Sequence, residues 1–180
     1  MDNKSLAEMM IHIPLCTHAE PNKVLFIGQK TESIGSEFSK YEFAVDFVVN
    51  ENEMASKNEK IYDVVIFNDS KIDEFMLANL EQILKNDGIF VFKSSHPMSD
   101  IEKLKNDLLL VGSKFWIAMP YSFGHNCFVL ASKKYHPTAD IILQRSDLLD
   151  DLEYYSSEIQ NASFVMPAKY HKALTNYAKR

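Results

Sequence analysis

Glycine is scarce in this chain, five in 180 residues, and the shortage falls where a nucleotide-binding protein needs it most. Val24 to Ile27 reads as a buried strand ending at Gly28, yet the following loop, Gln29-Lys30-Thr31-Glu32-Ser33, has no glycine before Gly35. A glycine-rich turn lets the backbone approach a nucleotide without an intervening Cβ and aims the amides of the next helix at the ligand. Its absence excludes the dinucleotide fingerprint. A phosphate loop is excluded as well, because it requires a glycine, four residues, then Gly-Lys-Ser/Thr, whereas Gly35 here precedes Ser36-Glu37.

Other shortages narrow the chemistry further. Cys16 and Cys127 are the two cysteines and form no CxxC pair, so both read as small buried hydrophobes in a reducing compartment. The six histidines show no HxH or HExxH grouping, and no metal is expected. Ser122 and Ser132 lie outside any Gly-x-Ser-x-Gly elbow. Positive charge is in deficit, 19 basic against 25 acidic residues for a net charge of −6, which argues against a nucleic-acid partner. No apolar run approaches the roughly 18 residues of a membrane span, and the first residues carry no cleavage-like signal. The expected setting is the cytoplasm.

What is present is the composition of a folded protein, 46% hydrophobic and 12% aromatic, with a length suited to one domain over residues 1–180. Four short runs, Val24 to Ile27, Phe47 to Val49, Val64 to Phe67 and Ile89 to Phe92, read as strands buried on both faces and hence as a parallel sheet. A helix is expected over Lys71 to Leu84, with Asp87-Gly88 turning the chain into the fourth strand. Another runs through Ile101, Leu104, Leu108 and Val111, capped by Ser99 or Asp100 and closed by Gly112. Phe115 to Met119 and Cys127 to Ala131 are separated too narrowly for a crossover helix and are expected to pair antiparallel. From Ser146 the chain reads as short helices, with Pro167 opening the last. The fold class is therefore α/β, a Rossmann-like sheet of the adenosylmethionine-dependent methyltransferase type with a terminal antiparallel hairpin.

Three stretches resemble the spermidine synthase (polyamine aminopropyltransferase) family: EMMIHIPLCTHAEPNKVLFIG, YDVVIFNDS, and MPYSFGHNCFVLASKKYHPTAD with LEYYSSEIQNASFVMPAKYHKAL. The resemblance covers most of residues 8 to 174 and is strongest in structural positions. It implies aminopropyl transfer from decarboxylated S-adenosylmethionine, the co-substrate, to putrescine or another polyamine. It also implies a homo-oligomer, and a family N-terminal β-domain that is expected to be absent from this chain.

The resemblance also maps the family's site residues onto this chain. The acid at the end of the fourth family strand, which deprotonates the attacking amine, falls on Asn68. Asparagine cannot act as a base, so the role passes to Asp69 or Asp73. The ribose-binding acid of the second strand falls on Val49, leaving Gly28 and Glu51 as the cofactor-binding candidates. The helix, strand and adenine-binding Asp that follow in the family are replaced by the short stretch Asn52 to Ile61. The family's Tyr-His pair becomes Leu6-Ala7, and its hairpin aromatic becomes Asn126. Glu8, His12 and Tyr121 remain as substrate-binding candidates. Each has a plainer reading: helix caps for Asp69 and Asp73, an ordinary i,i+4 packing pair for Glu8 and His12, and hairpin packing for the run Phe115, Trp116, Tyr121 and Phe123. The expected function is that of a spermidine synthase-like protein with reduced or lost activity. The alternatives are an active aminopropyltransferase with displaced carboxylates and a polyamine- or nucleoside-binding module.

Overall fold

The computed structural model describes residues 3–55 and 59–180. In chain order these form α1 (Asn3–Thr17), β1 (Lys23–Ile27), α2 (Glu32–Ser39), β2 (Ala44–Val48), α3 (Glu51–Ala55), β3 (Tyr62–Phe67) and α4 (Glu74–Ile83). There follow β4 (Leu84–Ser94), α5 (Ile101–Gly112), β5 (Ile117–Phe123), β6 (Asn126–Ser132), α6 (Leu143–Asp147), α7 (Ser157–Ser163) and α8 (Ala168–Leu174). One six-stranded sheet runs in the order β2-β1-β3-β4-β6-β5. The first four strands are parallel, and β6 runs antiparallel to both its neighbours.

Because side chains alternate across a strand, a run such as Val24-Leu25-Phe26-Ile27 must be covered on both faces. Leu25, Ile27, Val65, Phe67, Phe90 and Phe92 pack with α4 and α5 in one core cluster. Val24, Phe26, Val64, Ile66, Ile89 and Val91 pack with α1 and α2 in another. The outcome is a three-layer α/β/α arrangement, as the hydrophobic runs predict. β2 is the exception, only half-buried over most of its length because it forms the open edge of the sheet.

Several boundaries differ from the sequence expectation for local reasons. α4 starts at Glu74 and not at Lys71, because the Asp73 side chain accepts the Met76 N–H at 2.7 Å and caps the helix there. Asp87-Gly88 lies inside β4: Tyr62 pairs with Leu84 but Val64 pairs with Ile89, so residues 85–88 bulge out of the ladder. The hairpin strands extend to Phe123 and Asn126, and the turn is made by Gly124 at φ +55°. Pro120 is tolerated within β5 because that strand is the outermost of the sheet and its missing N–H interrupts no internal ladder. Between β2 and β3 the described residues hold the single-turn α3 and no strand, while 56–58 lie outside the described residues.

Candidate functional site

In an open parallel sheet the ligand site lies beyond the carboxyl ends of the strands. Here those ends are drawn tightly together. Gly28 N–H donates to Val48 O at 2.9 Å and Asn68 N–H donates to Ile27 O at 3.0 Å, tying the tips of β1, β2 and β3. Gly28 has φ +139°, and a Cβ built on it would stand 3.1 Å from the Asn68 Cβ. The glycine is needed for this close approach of β1 to β3. Beyond the tips a pocket of only 110 Å³ remains, lined by Leu6, Ala7, Met10, Thr31, Ile34 and Asn68. That is well below the roughly 300 Å³ at which small-molecule sites begin.

The two expected catalytic acids belong to a fastened loop. Asp73 caps α4, and one Asp69 oxygen accepts the Ser70 N–H at 2.6 Å. The same loop is tied from outside, since Lys93 N–H donates to Asp69 O at 3.2 Å and Lys103 Nζ donates to Ser70 O at 2.9 Å. Lys103 is itself held by Asp107, which accepts the Ser94 hydroxyl at 2.6 Å. These contacts favour the capping role for Asp73 and fix Asp69 in its turn.

On the expected cofactor side, Val49 is 68% exposed and Glu51 is the first residue of α3. Asn50 caps this turn by accepting the Asn52 and Glu53 N–H groups, and Glu53 reaches back to accept the Val49 N–H at 3.3 Å. The acid in contact with the β2 tip is therefore Glu53, which the sequence argument passed over for Glu51. After Gly28 the loop is occupied by its own side chains. Thr31 caps α2, and Lys30 places its Nζ 4.3 Å from the Phe47 ring centroid while its stem lies over Gly35.

The three substrate-binding candidates lie in the protein interior. Glu8 is wholly buried, and both its oxygens are used: Oε1 accepts Glu153 N–H, and Oε2 accepts Tyr154 and Tyr155 N–H, all at 2.8 Å. His12, also wholly buried, sits 2.9 Å from Glu37 Oε2 through Nε2 and 2.7 Å from the Tyr41 hydroxyl through Nδ1. Burial pushes the His12 pKa down despite the upward pull of Glu37. Burial opposes ionisation of Glu37 too, but hydrogen bonds from His12 and Lys40 outweigh it and keep its pKa below the usual value. The pair is neutral imidazole and carboxylate, so Nε2 carries the proton and Nδ1 accepts from Tyr41. Tyr121 is wholly buried against Phe128 and Phe164, its hydroxyl directed at Met9 O. All three are buried, and each packs an element of the fold. Among the described residues no group of three metal-ligating side chains occurs.

No family model matches the chain. Polyamine aminopropyltransferases from Helicobacter acinonychis (strain Sheeba) and Methanocaldococcus jannaschii are 25% and 26% identical to it, over 96% and 92% of this chain and 78% and 73% of their own length. A solved spermidine synthase in complex with the transition state analogue AdoDATO matches with a TM-score of 0.84 at 22% identity, covering 97% of this chain and 76% of its own. The spermidine synthase from Thermotoga maritima matches with a TM-score of 0.78 at 24% identity. In sequence the chain is similar to polyamine aminopropyltransferases over nearly its whole length, and in fold it is similar to the spermidine synthases.

The alignment to these relatives requires gaps within this chain. The first alignment spans 204 positions, which 96% of a 180-residue chain cannot fill without gaps. The short α3 connection between β2 and β3 is the stretch the sequence reading identified as replacing a helix and a strand. Among the described residues no helix is long and apolar enough to cross a membrane.

Proposed function

We propose that this chain is a spermidine synthase family member that has reduced or lost the family's aminopropyl transfer from decarboxylated adenosylmethionine to putrescine, and that it acts by association with itself or another protein. The observation that carries this reading is the state of the β3 tip. An amide, Asn68, stands where the amine's proton acceptor is expected, and beside it the pocket holds 110 Å³ between apolar side chains. A general base must reach the proton it removes, and the nearby carboxylates of Asp69 and Asp73 are both committed to backbone amides of their own loop. Association is supported by the open β2 edge and by Val49 and Phe75, which are 68% and 62% exposed.

The test is to incubate purified protein with decarboxylated adenosylmethionine and putrescine and to assay spermidine and methylthioadenosine. The reading predicts neither product above the blank. Formation of both, abolished by Asp69→Ala, establishes the alternative, an active enzyme with a displaced carboxylate.

A further inference from the structure

A broad cleft lies at the end of the sheet away from the carboxyl ends of the strands. It is a cleft of 580 Å³ where Asn22 leads into β1 and Phe43 into β2. β1 separates it from the pocket at Asn68 by its length of five residues, roughly 16 Å. The rings of Tyr41 and Phe43 are stacked 4.9 Å apart at an interplanar angle of 22° and form one wall. Leu148 and Leu149 contribute apolar surface, Leu148 being 75% exposed.

The charge on the lining is unbalanced. Its two cations are already engaged: Lys40 Nζ contacts Glu37 Oε2 at 3.0 Å and donates to Asp150 O and Asp151 O, and Arg145 donates to Leu15 O, His18 O and Ala19 O at 2.5 to 2.7 Å. Its two carboxylates, Glu20 and Glu42, are exposed and have no ion pair among the described residues. Behind the Tyr41 wall, through His12, lies the buried Glu37 carboxylate, whose charge is already met by Lys40. Aromatic faces, apolar side walls and unanswered negative charge are the features that recognise a cation carried on an apolar body.

We infer that this amino-end cleft is a binding site for an organic ammonium cation, with the apolar body against Tyr41, Phe43 and Leu148 and the ammonium group between Glu20 and Glu42. The site is independent of the family's carboxyl-end site and does not depend on whether aminopropyl transfer survives. The test uses benzylamine as probe, neutral benzyl alcohol as its uncharged counterpart, and the full chain, followed by amide chemical shifts in a two-dimensional NMR titration at low salt. The expected result is saturable benzylamine binding with shifts at Tyr41 and Phe43. Affinity should fall about tenfold with benzyl alcohol and about tenfold in Glu20→Gln/Glu42→Gln, two exposed substitutions that leave the thermal midpoint unchanged. Absence of saturation, equal binding of the alcohol, undiminished binding by the double variant, or shifts centred on Ala7 and Asn68 would each overturn the assignment.

Discussion

The Glu8 carboxylate accepts the backbone N–H of Tyr155 at 2.8 Å across 147 positions of sequence, fastening the chain that follows α6 onto α1. Two more amides, of Glu153 and Tyr154, share the same carboxylate. Truncation by Glu8→Ala leaves all three without their acceptor, two of them in a partly buried setting and one fully buried. It should lower the unfolding free energy by about 3 kcal/mol or more, with Glu8→Gln losing less because one acceptor oxygen remains. Urea denaturation of the three proteins checks this, and equal midpoints would refute the clamp.

Arg145 performs a related task at the other end of α1. Its guanidinium takes the carbonyls of Leu15, His18 and Ala19, which the end of the helix leaves without internal partners. A lysine offers one point of charge and no planar fork, so Arg145→Lys should destabilise by about 2 kcal/mol. The thermal midpoint of the variant, compared with that of a substitution at exposed Lys169, measures it.

Stability should fall on acidification below neutrality. Burial lowers the pKa of both His12 and His18; the ring nitrogens of His18 make no hydrogen bond and lie no closer than 4.0 Å to Asp63. A histidine whose pKa is depressed on folding binds its proton more readily in the unfolded chain, so stability is present above about pH 6.5 and drains away as pH falls below it. Glu37, also depressed on folding, extends the loss toward the carboxylate range. The slope should reach up to about 1.4 kcal/mol per pH unit for each group titrating only on unfolding. Urea titrations at pH 7.5, 6.5 and 5.5 test the sign, and a flat profile contradicts it. His18→Gln should reduce the slope.

The fold was legible because it rests on patterns that sequence carries directly. Val24 to Ile27, Val64 to Phe67 and Ile89 to Phe92 are too apolar to face water, and the seven-residue gap between Met119 and Cys127 leaves room only for a hairpin. The site was less legible because residue type does not reveal direction. Glu8 and His12 are polar residues at helical spacing, and sequence alone does not say whether the shared face looks into a cavity or into the protein. Glu37 held a usable signal: it lies between Ile34 and Phe38 on the buried face of α2, a position where a carboxylate must find partners. Arg145 and Lys103 act on backbone carbonyls, and such contacts leave no pattern in the sequence.

Gly28 and Asn68 together measure how tightly the strand tips have closed. Gly28→Ala places a Cβ 3.1 Å from that of Asn68 and also imposes an L side chain at φ +139°, so it should destabilise by about 1–3 kcal/mol. Combining it with Asn68→Gly removes the contact and leaves the backbone penalty. A double-mutant cycle should therefore show partial and not full recovery. Additive effects would mean that the two tips do not touch.

The closure of the carboxyl-end site is the claim on which the functional reading turns, and thermal unfolding in the presence of methylthioadenosine tests it most directly. A ligand at about a hundred times its dissociation constant adds roughly 2.7 kcal/mol to the stability of a protein that binds it. The account predicts an unchanged midpoint at millimolar nucleoside, because a pocket of 110 Å³ walled by Leu6, Ala7 and Met10 has no room for an adenosyl group. A saturable rise in the midpoint, lost in Gly28→Ala, would contradict it and return the chain to the working aminopropyltransferases.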